Sequence, residues 1–171
     1  MDTSSGTIAL DSIRRSYLPT ILAWRSDRDV MRYLPTAPVE PTWEEILDWY
    51  VSGKRRDPGH GYWTIKLSPR VLTPMSRDSA PDFSRIIGTT HFNMATGEVG
   101  LLIGEKGLWG AGLSKAALSL TLRKVFHSTF KLLTPPGVWA VIHRENDRSL
   151  RLFESMGFVH DGTGRSGQCI F

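Results

Sequence analysis

A chain of 171 residues and 19.2 kDa fits one compact domain, 1–171, that buries roughly 70% of the surface its unfolded form exposes, so neither disulfides nor a structural metal are needed to hold it. An apolar fraction of 40% and a mean hydropathy of −0.20 exclude a wholly disordered chain; no run reaches the ~18 apolar residues of a membrane span, and Met1 to Leu10 lacks the pattern of a secretory signal. The 21 basic and 17 acidic residues leave a net charge of +4, dispersed in pairs such as Arg14-Arg15 and Arg55-Arg56, which argues against a nucleic-acid arm and for solvated charge or attraction of an anionic small molecule.

Thr7 to Ile13 reads as a first strand, after which Ser16 is placed to cap a helix carrying Leu18, Ile21 and Leu22 on one side, with Pro19 tolerated in its first turn. A shorter helical piece is expected from Ser26, with Asp29 three residues later, ending before Pro35. Thr42-Trp43-Glu44-Glu45 has the form of a capping box, and Trp43, Ile46, Leu47, Tyr50 and Val51 then recur at helical spacing, predicting a face packed on a sheet. Gly61 to Leu67 and Arg85 to Met94 read as strands, the second with Ile87, Thr89, His91 and Asn93 opposite Ile86, Thr90 and Phe92. Between them Ser68 to Ser84, rich in proline, serine and charge, is expected as a long surface loop. Gly97 turns the chain into a hairpin partner, Glu98 to Ile103, whose nearly continuous apolar run suits a strand covered on both faces.

Gly104 to Gly112 holds four glycines in nine residues and leads into an amphipathic helix through Leu118, Leu122, Val125, Phe126 and Leu133, stopped by Thr134-Pro135-Pro136-Gly137. Val138 to His143 is a strand, Asn146 caps a last helix with Leu150, Phe153 and Met156 on one side, and Gly157 closes it. Phe158 to Asp161 and Gln168 to Phe171 complete the chain as short strands. This alternation of strands and helices predicts an α/β layered domain. The single Cys169 cannot form an intrachain disulfide and no Cys/His cluster has zinc-ligand spacing, so a reducing cytoplasm and no metal are expected.

The stretch from Leu101 to Lys115 carries the most chemistry: an apolar strand, then glycines, then a helix start. Free backbone N–H groups and the positive end of a helix dipole converge there, which suits a phosphate or diphosphate. A side chain at Gly110 or Gly112 would hold such a ligand off the backbone. Taken alone, the same glycines also fit a structural tight turn. The stretch contains neither Gly-x-x-x-x-Gly-Lys-[Ser/Thr] nor Gly-x-Gly-x-x-Gly, since the position three after Gly112 is Lys115.

Trp109-Gly110-Ala111-Gly112-Leu113-Ser114, followed by Val141 to Ser149 with its Asn146-x-x-Ser149, and by Phe153-Glu154-Ser155-Met156-Gly157-Phe158, resembles the GNAT N-acetyltransferase superfamily, in the branch of ribosomal-protein alanine N-acetyltransferases and nucleotide-sugar N-acetyltransferases. The resemblance runs from about Ser16 to Asp161 and includes Trp24-Arg25-Ser26-Asp27. It implies a mixed central sheet of about six to seven strands, splayed in the middle between 98–103 and 138–143 and flanked by about four helices. It implies acetyl-CoA as acyl donor, with Leu101, Leu102 and Ile103 bonding the pantetheine through their backbone, Gly110, Ala111, Gly112, Leu113, Ser114 and Lys115 holding the diphosphate, and Asn146 touching the arm.

The implied reaction is direct acetyl transfer to a primary amine, without a protein nucleophile and with a base to take the amine's proton. Glu98 is the first candidate, His91 the second, and His143 a weaker third; a solvated strand-end carboxylate and a structural histidine are the alternatives. Phe153 stands where the family often has a tyrosine as acid, Ser114 replaces a usual glycine or alanine, and Cys169 reads as a strand residue. Trp24, Tyr33, Trp63 and the 68–84 loop either frame an acceptor pocket or belong to the core. The acceptor is a protein N-terminus, an amino sugar nucleotide or another small amine; no nucleic acid or membrane is expected as a partner, and a homodimer is left open. The alternative reading is a non-catalytic CoA-binding module of the same fold, which Phe153 favours.

Overall fold

The computed structural model describes residues 8–34, 40–56, 60–67, 85–127, 137–163 and 168–171. The loop expected at 68–84, and the helix end expected at Leu133 to Pro136, lie outside the described residues. Strands β1 (Ile8–Ser12), β2 (His60–Leu67), β3 (Ile86–Asn93) and β4 (Val99–Ile103) form an antiparallel sheet in that order. Strands β5 (Val141–His143), β6 (Gly162–Thr163) and β7 (Gln168–Ile170) form a second, antiparallel sheet in the order β5-β7-β6. Among the described residues the two sheets are joined by one parallel bridge, Glu98 to Trp139. There the Val99 N–H donates to the Trp139 carbonyl at 2.9 Å and the Trp139 N–H to the Gly97 carbonyl at 3.1 Å. Beyond that bridge β4 and β5 part, as the splayed sheet required. The last hairpin forms later than expected, at Gly162 instead of Phe158.

Helices α1 (Leu18–Ser26), α2 (Arg28–Met31) and α3 (Trp43–Arg56) cover one face of the first sheet, where Ile13, Leu18, Ile21, Trp24, Val30, Ile46 and Ile86 form a buried cluster. On the opposite face α4 (Leu113–His127) and α5 (Asp147–Ser155) pack around Phe92, Val99, Leu118, Val125, Ile142 and Phe153. The α-helices number five among the described residues, matching the five read in chain order where the resemblance implied about four, and the first two are split from one another. Asp27 makes the split: it ends α1, and its Oδ1 accepts from the N–H groups of Asp29 at 2.9 Å and Val30 at 3.4 Å to start α2. Ser26, expected to begin that helix, instead donates its hydroxyl back to the Leu22 carbonyl at 3.0 Å. Ser16 is no cap either; it lies inside a 3-10 turn, Arg15–Tyr17, that runs into α1.

One irregularity decides which side chains face the site. The β2–β3 register steps from Ile65 opposite Gly88 to Lys66 opposite Ile86, a bulge that leaves Ile87 without a partner. Ile87 therefore packs on the α4 side and Ile86 under α1 and α3, the reverse of strict alternation. Thr89, His91 and Asn93 keep the expected side. Thr90, on the α4 face, shares its hydroxyl between the Gly100 carbonyl at 2.9 Å and the buried Thr121 hydroxyl of α4 at 3.0 Å, fixing that helix to the hairpin of β3 and β4.

The capping box forms as read: the Thr42 N–H donates to Glu45 Oε2 at 2.7 Å and the Glu45 N–H to Thr42 Oγ1 at 3.2 Å. Removing the hydroxyl in Thr42→Ala is expected to lower the unfolding free energy by about 1 kcal/mol, measured by urea denaturation with an unchanged dependence on denaturant.

Candidate active site

The open edge of β4 is the first component. The Val99 N–H turns outward to Trp139, and the Ile103 carbonyl turns outward to accept from Trp109 Nε1 at 2.8 Å. In an antiparallel ladder outward and inward groups alternate, so Val99, Leu101 and Ile103 present their backbone to the gap, while Gly100 and Leu102 bond β3. Leu102, expected to share in binding through its backbone, is turned away from the gap, and its side chain packs against the cluster beneath α1 and α3. Leu101 and Ile103 retain outward N–H groups.

The second component is the turn that leads from β4 into α4. After a 3-10 turn at Lys106–Leu108, Gly110 and Gly112 take φ of +84° and +75°, and an added Cβ at either would meet nothing within 4 Å. Trp109, Gly110, Ala111 and Gly112 are exposed. Among the described residues none accepts from the N–H groups of Gly110, Gly112, Leu113, Ser114 or Lys115. Five backbone donors thus open on solvent around a helix start, the arrangement that binds anions. Lys115 Nζ, in the first turn of α4, donates to the Ser155 carbonyl at the end of α5 at 3.3 Å. Lys106 holds the base of the turn to the start of α2 through Asp27 at 2.7 Å and Asp29 at 3.0 Å.

The third component is the polar face of the first sheet, between its strands and α1 and α3. His91 on β3 lies opposite Gly100 on β4, and its ring fills the place a Cβ of Gly100 would take, 2.3 Å from Cε1. His60 and Tyr62 on β2 stack at 4.4 Å between centroids, with His91 5.5 Å from His60 and 5.7 Å from Tyr62. Arg25 of α1 lies 4.9 Å over the Trp49 ring. Burial, then the neighbouring His60 and Arg25, push the His91 imidazole down to about 4, so it is a neutral hydrogen-bonding group at ordinary pH. Glu98 belongs to the same face, two residues from Gly100, at the vertex where the sheets meet. It is half-buried, and among the described residues no cation pairs with its carboxylate.

The remaining candidates take different places. Asn146 caps α5, its Oδ1 accepting from the Ser149 N–H at 3.3 Å. His143, at the end of β5, accepts at Nδ1 from the Glu145 N–H at 3.3 Å and lies 5.5 Å from the Tyr33 ring, so Tyr33 does reach the second wall of the gap. Trp24 does not frame a pocket: it is 6% exposed and lies flat against Gly104. Trp63 packs on the opposite, α4 side. Phe153 is 4% exposed and edge-on to Phe158 at 4.9 Å, so its position offers no proton donor. Cys169 pairs with Ile142 in the second sheet.

The profile of the acetyltransferase (GNAT) domain matches residues 8–159. The chain belongs to that family. A curated relative, an uncharacterized protein of Methanocaldococcus jannaschii, is 28% identical over 164 residues, which are 96% of this chain and 30% of the relative; the chain thus spans under a third of that protein's length. A solved domain from the same organism superposes with a TM-score of 0.73 over 95% of both chains at 26% identity. The spermidine N-acetyltransferase of Vibrio cholerae, solved with CoA and spermine, shares the GNAT fold with a TM-score of 0.69, 16% identity, and coverage of 95% and 91%. No described helix is long and apolar enough to cross a membrane.

The cluster of Arg25, His60 and Tyr62 around His91 was not among the residues read as functional. Period-two alternation along two paired strands would have placed His60 and Tyr62 beside His91, had the pairing been known. His91 also supplies a measurable signature of the GNAT domain's interior. The unfolded chain protonates this histidine near pH 6.5 and the folded chain only near 4, so stability is complete above 6.5 and falls as pH drops from 6.5 to 4. The loss amounts to roughly 3 kcal/mol. Denaturation at pH 7 and pH 4.5 is expected to show that His91→Gln loses less stability on acidification than the parent protein.

Proposed function

We propose that this GNAT protein is an acetyl-CoA-dependent N-acetyltransferase that moves an acetyl group directly to a primary amine. The observation that carries the reading is the set of five N–H groups at the head of α4 that have no acceptor among the described residues, set at the end of a strand whose other edge is open. These parts fit the donor as a group: glycines that leave the space above them empty, N–H donors for a diphosphate, and a strand of five residues, about 16 Å long, beside which a pantetheine arm can lie.

Gly110, Ala111, Gly112, Leu113, Ser114 and Lys115 would hold the diphosphate, Leu101 and Ile103 the arm through outward backbone groups, and Asn146 its second side through the amide nitrogen not used in the helix cap. When bound, acetyl-CoA supplies an activated acetyl group as a thioester. The outward Leu101 N–H, fixed in direction by the β3–β4 ladder, stabilises negative charge on an acyl oxygen; one such donor is typically worth ~10²–10³ in rate. Glu98, at the vertex of the gap and without a cation partner among the described residues, takes the proton of the attacking amine, directly or through water. His91 orients groups on the same face by hydrogen bonding and stays neutral. With Phe153 sealed in the core, its position gives no proton, and solvent would supply the one that the thiol product needs. The unpaired Cys169 suits a reducing, cytoplasmic setting.

The non-catalytic reading rests on Phe153 alone, and turnover separates the two. Titration calorimetry is expected to show one CoA per chain, and Gly112→Val, which places a branched side chain at φ of +75° above the donors, is expected to weaken CoA by more than about tenfold while circular dichroism shows a folded protein; unchanged affinity would exclude the site. Glu98→Gln is expected to lower acetylation of amines most at acidic pH, where the acceptor is an ammonium, and least at alkaline pH, where the free amine needs no base. A pH–rate profile identical to the parent's would remove Glu98 from the mechanism.

A further inference from the structure

Arg25 is a partly buried cation with no acidic partner among the described residues. Burial disfavours its charge, with Tyr62 partly offsetting that effect. Among the described residues no carboxylate pairs with it and no acceptor takes a hydrogen bond from its guanidinium. It rests on the Trp49 ring at 4.9 Å, and Trp49 in turn meets Tyr62 edge-on at 5.5 Å. A half-buried guanidinium beside an aromatic face still carries five donors in a rigid planar fork. Its field reaches His91, whose protonation it opposes. His91 lies opposite Gly100, two residues or about 7 Å along β4 from Glu98.

We propose that Arg25 receives an anionic group of the acceptor, a carboxylate or a phosphate, and thereby directs the acceptor's amine toward Glu98. The proposal rests on the acetyltransferase reading and names the acceptor class: an amine that carries a negative charge, as opposed to a polyamine that carries only positive ones. Planar, bidentate recognition is the chemistry at which arginine excels, and carboxylate and phosphate share it. The bound anion would supply the counter-charge that the described residues do not, beside the Trp49 ring.

The test uses the CoA-saturated protein, so that the diphosphate cup is filled before any other anion is added. Inorganic phosphate and acetate are titrated separately at pH 7 against sodium chloride at matched ionic strength, and the ring resonances of His91, assigned by comparison with His91→Gln, report binding by NMR. Saturable shifts at His91 with one of the two anions are expected, phosphate or acetate identifying the acceptor's group, and Arg25→Gln is expected to raise that Kd about tenfold or more. Arg25→Lys, which keeps the charge but not the fork, should fall between. CoA affinity close to the parent's in both variants shows that they fold. Failure of CoA to bind would overturn the acetyltransferase reading; CoA binding with no anion-dependent shift, or with a shift equally strong in Arg25→Gln, would overturn the role of Arg25 alone.

Discussion

The structure depends on how little holds β4 to β5. A pair of backbone hydrogen bonds through Trp139 joins the two sheets among the described residues, and past that point the strands separate, leaving the outward N–H groups of Leu101 and Ile103 without an acceptor there. A continuous ladder would have consumed the outward N–H of Leu101 and Ile103. The packing beneath compensates: Val99 and Phe92 of the first sheet share one apolar cluster with Ala140, Ile142 and Phe171 of the second, so the halves are held by side chains where the backbone lets go. Trp139 also donates its indole N–H to the Thr96 carbonyl at 2.7 Å, which pins the vertex to the hairpin turn.

The anion cup is positioned by the same economy of contacts. Its donors point outward because the surrounding residues are tied elsewhere: Trp109 to the end of β4, Lys106 to Asp27 and Asp29, and Thr121 of α4 to Thr90 of β3. The acidic start of α2 therefore has two tasks. Asp27 caps that helix and, through Lys106, anchors the turn that precedes α4, so the split in the first helical region connects directly to the shape of that glycine turn. The neighbouring Arg25 faces the other way, into the aromatic face beside His91. A stretch of three residues thus contributes to both sides of the site.

Much of this was legible in the amino-acid sequence, and the parts that were not share a cause. The capping box at Thr42 and Glu45, the glycines at 110 and 112 and the cap at Asn146 are local devices whose partners lie within four residues, so spacing alone specifies them. Asp27 rather than Ser26 begins α2 because two acceptable caps adjoin, and only the course of the preceding helix chooses between them. The exchange of Ile86 and Ile87 comes from a bulge in β2–β3 pairing, which depends on strands separated by a long segment. The outward turn of Leu101 and Ile103, and the inward turn of Leu102, follow from which ladder position the hairpin adopts. Trp24 looked like a pocket aromatic because nothing in the sequence places Gly104 against it. Arg25 was visible as part of Trp24-Arg25-Ser26-Asp27, but that none of the described carboxylates pairs with it is a property of three-dimensional packing.

The free edge of β4 has a consequence beyond ligand chemistry. Unsatisfied strand edges invite the edges of other molecules, and proteins protect them by keeping them short, recessed or covered. Here the edge is five residues long and lies between two walls, with β5 on the far side of the gap and the Trp109 indole across its end. A second polypeptide approaching to extend the sheet would have to enter that gap edgewise. The recess therefore guards the chain against self-association into continuous β-structure.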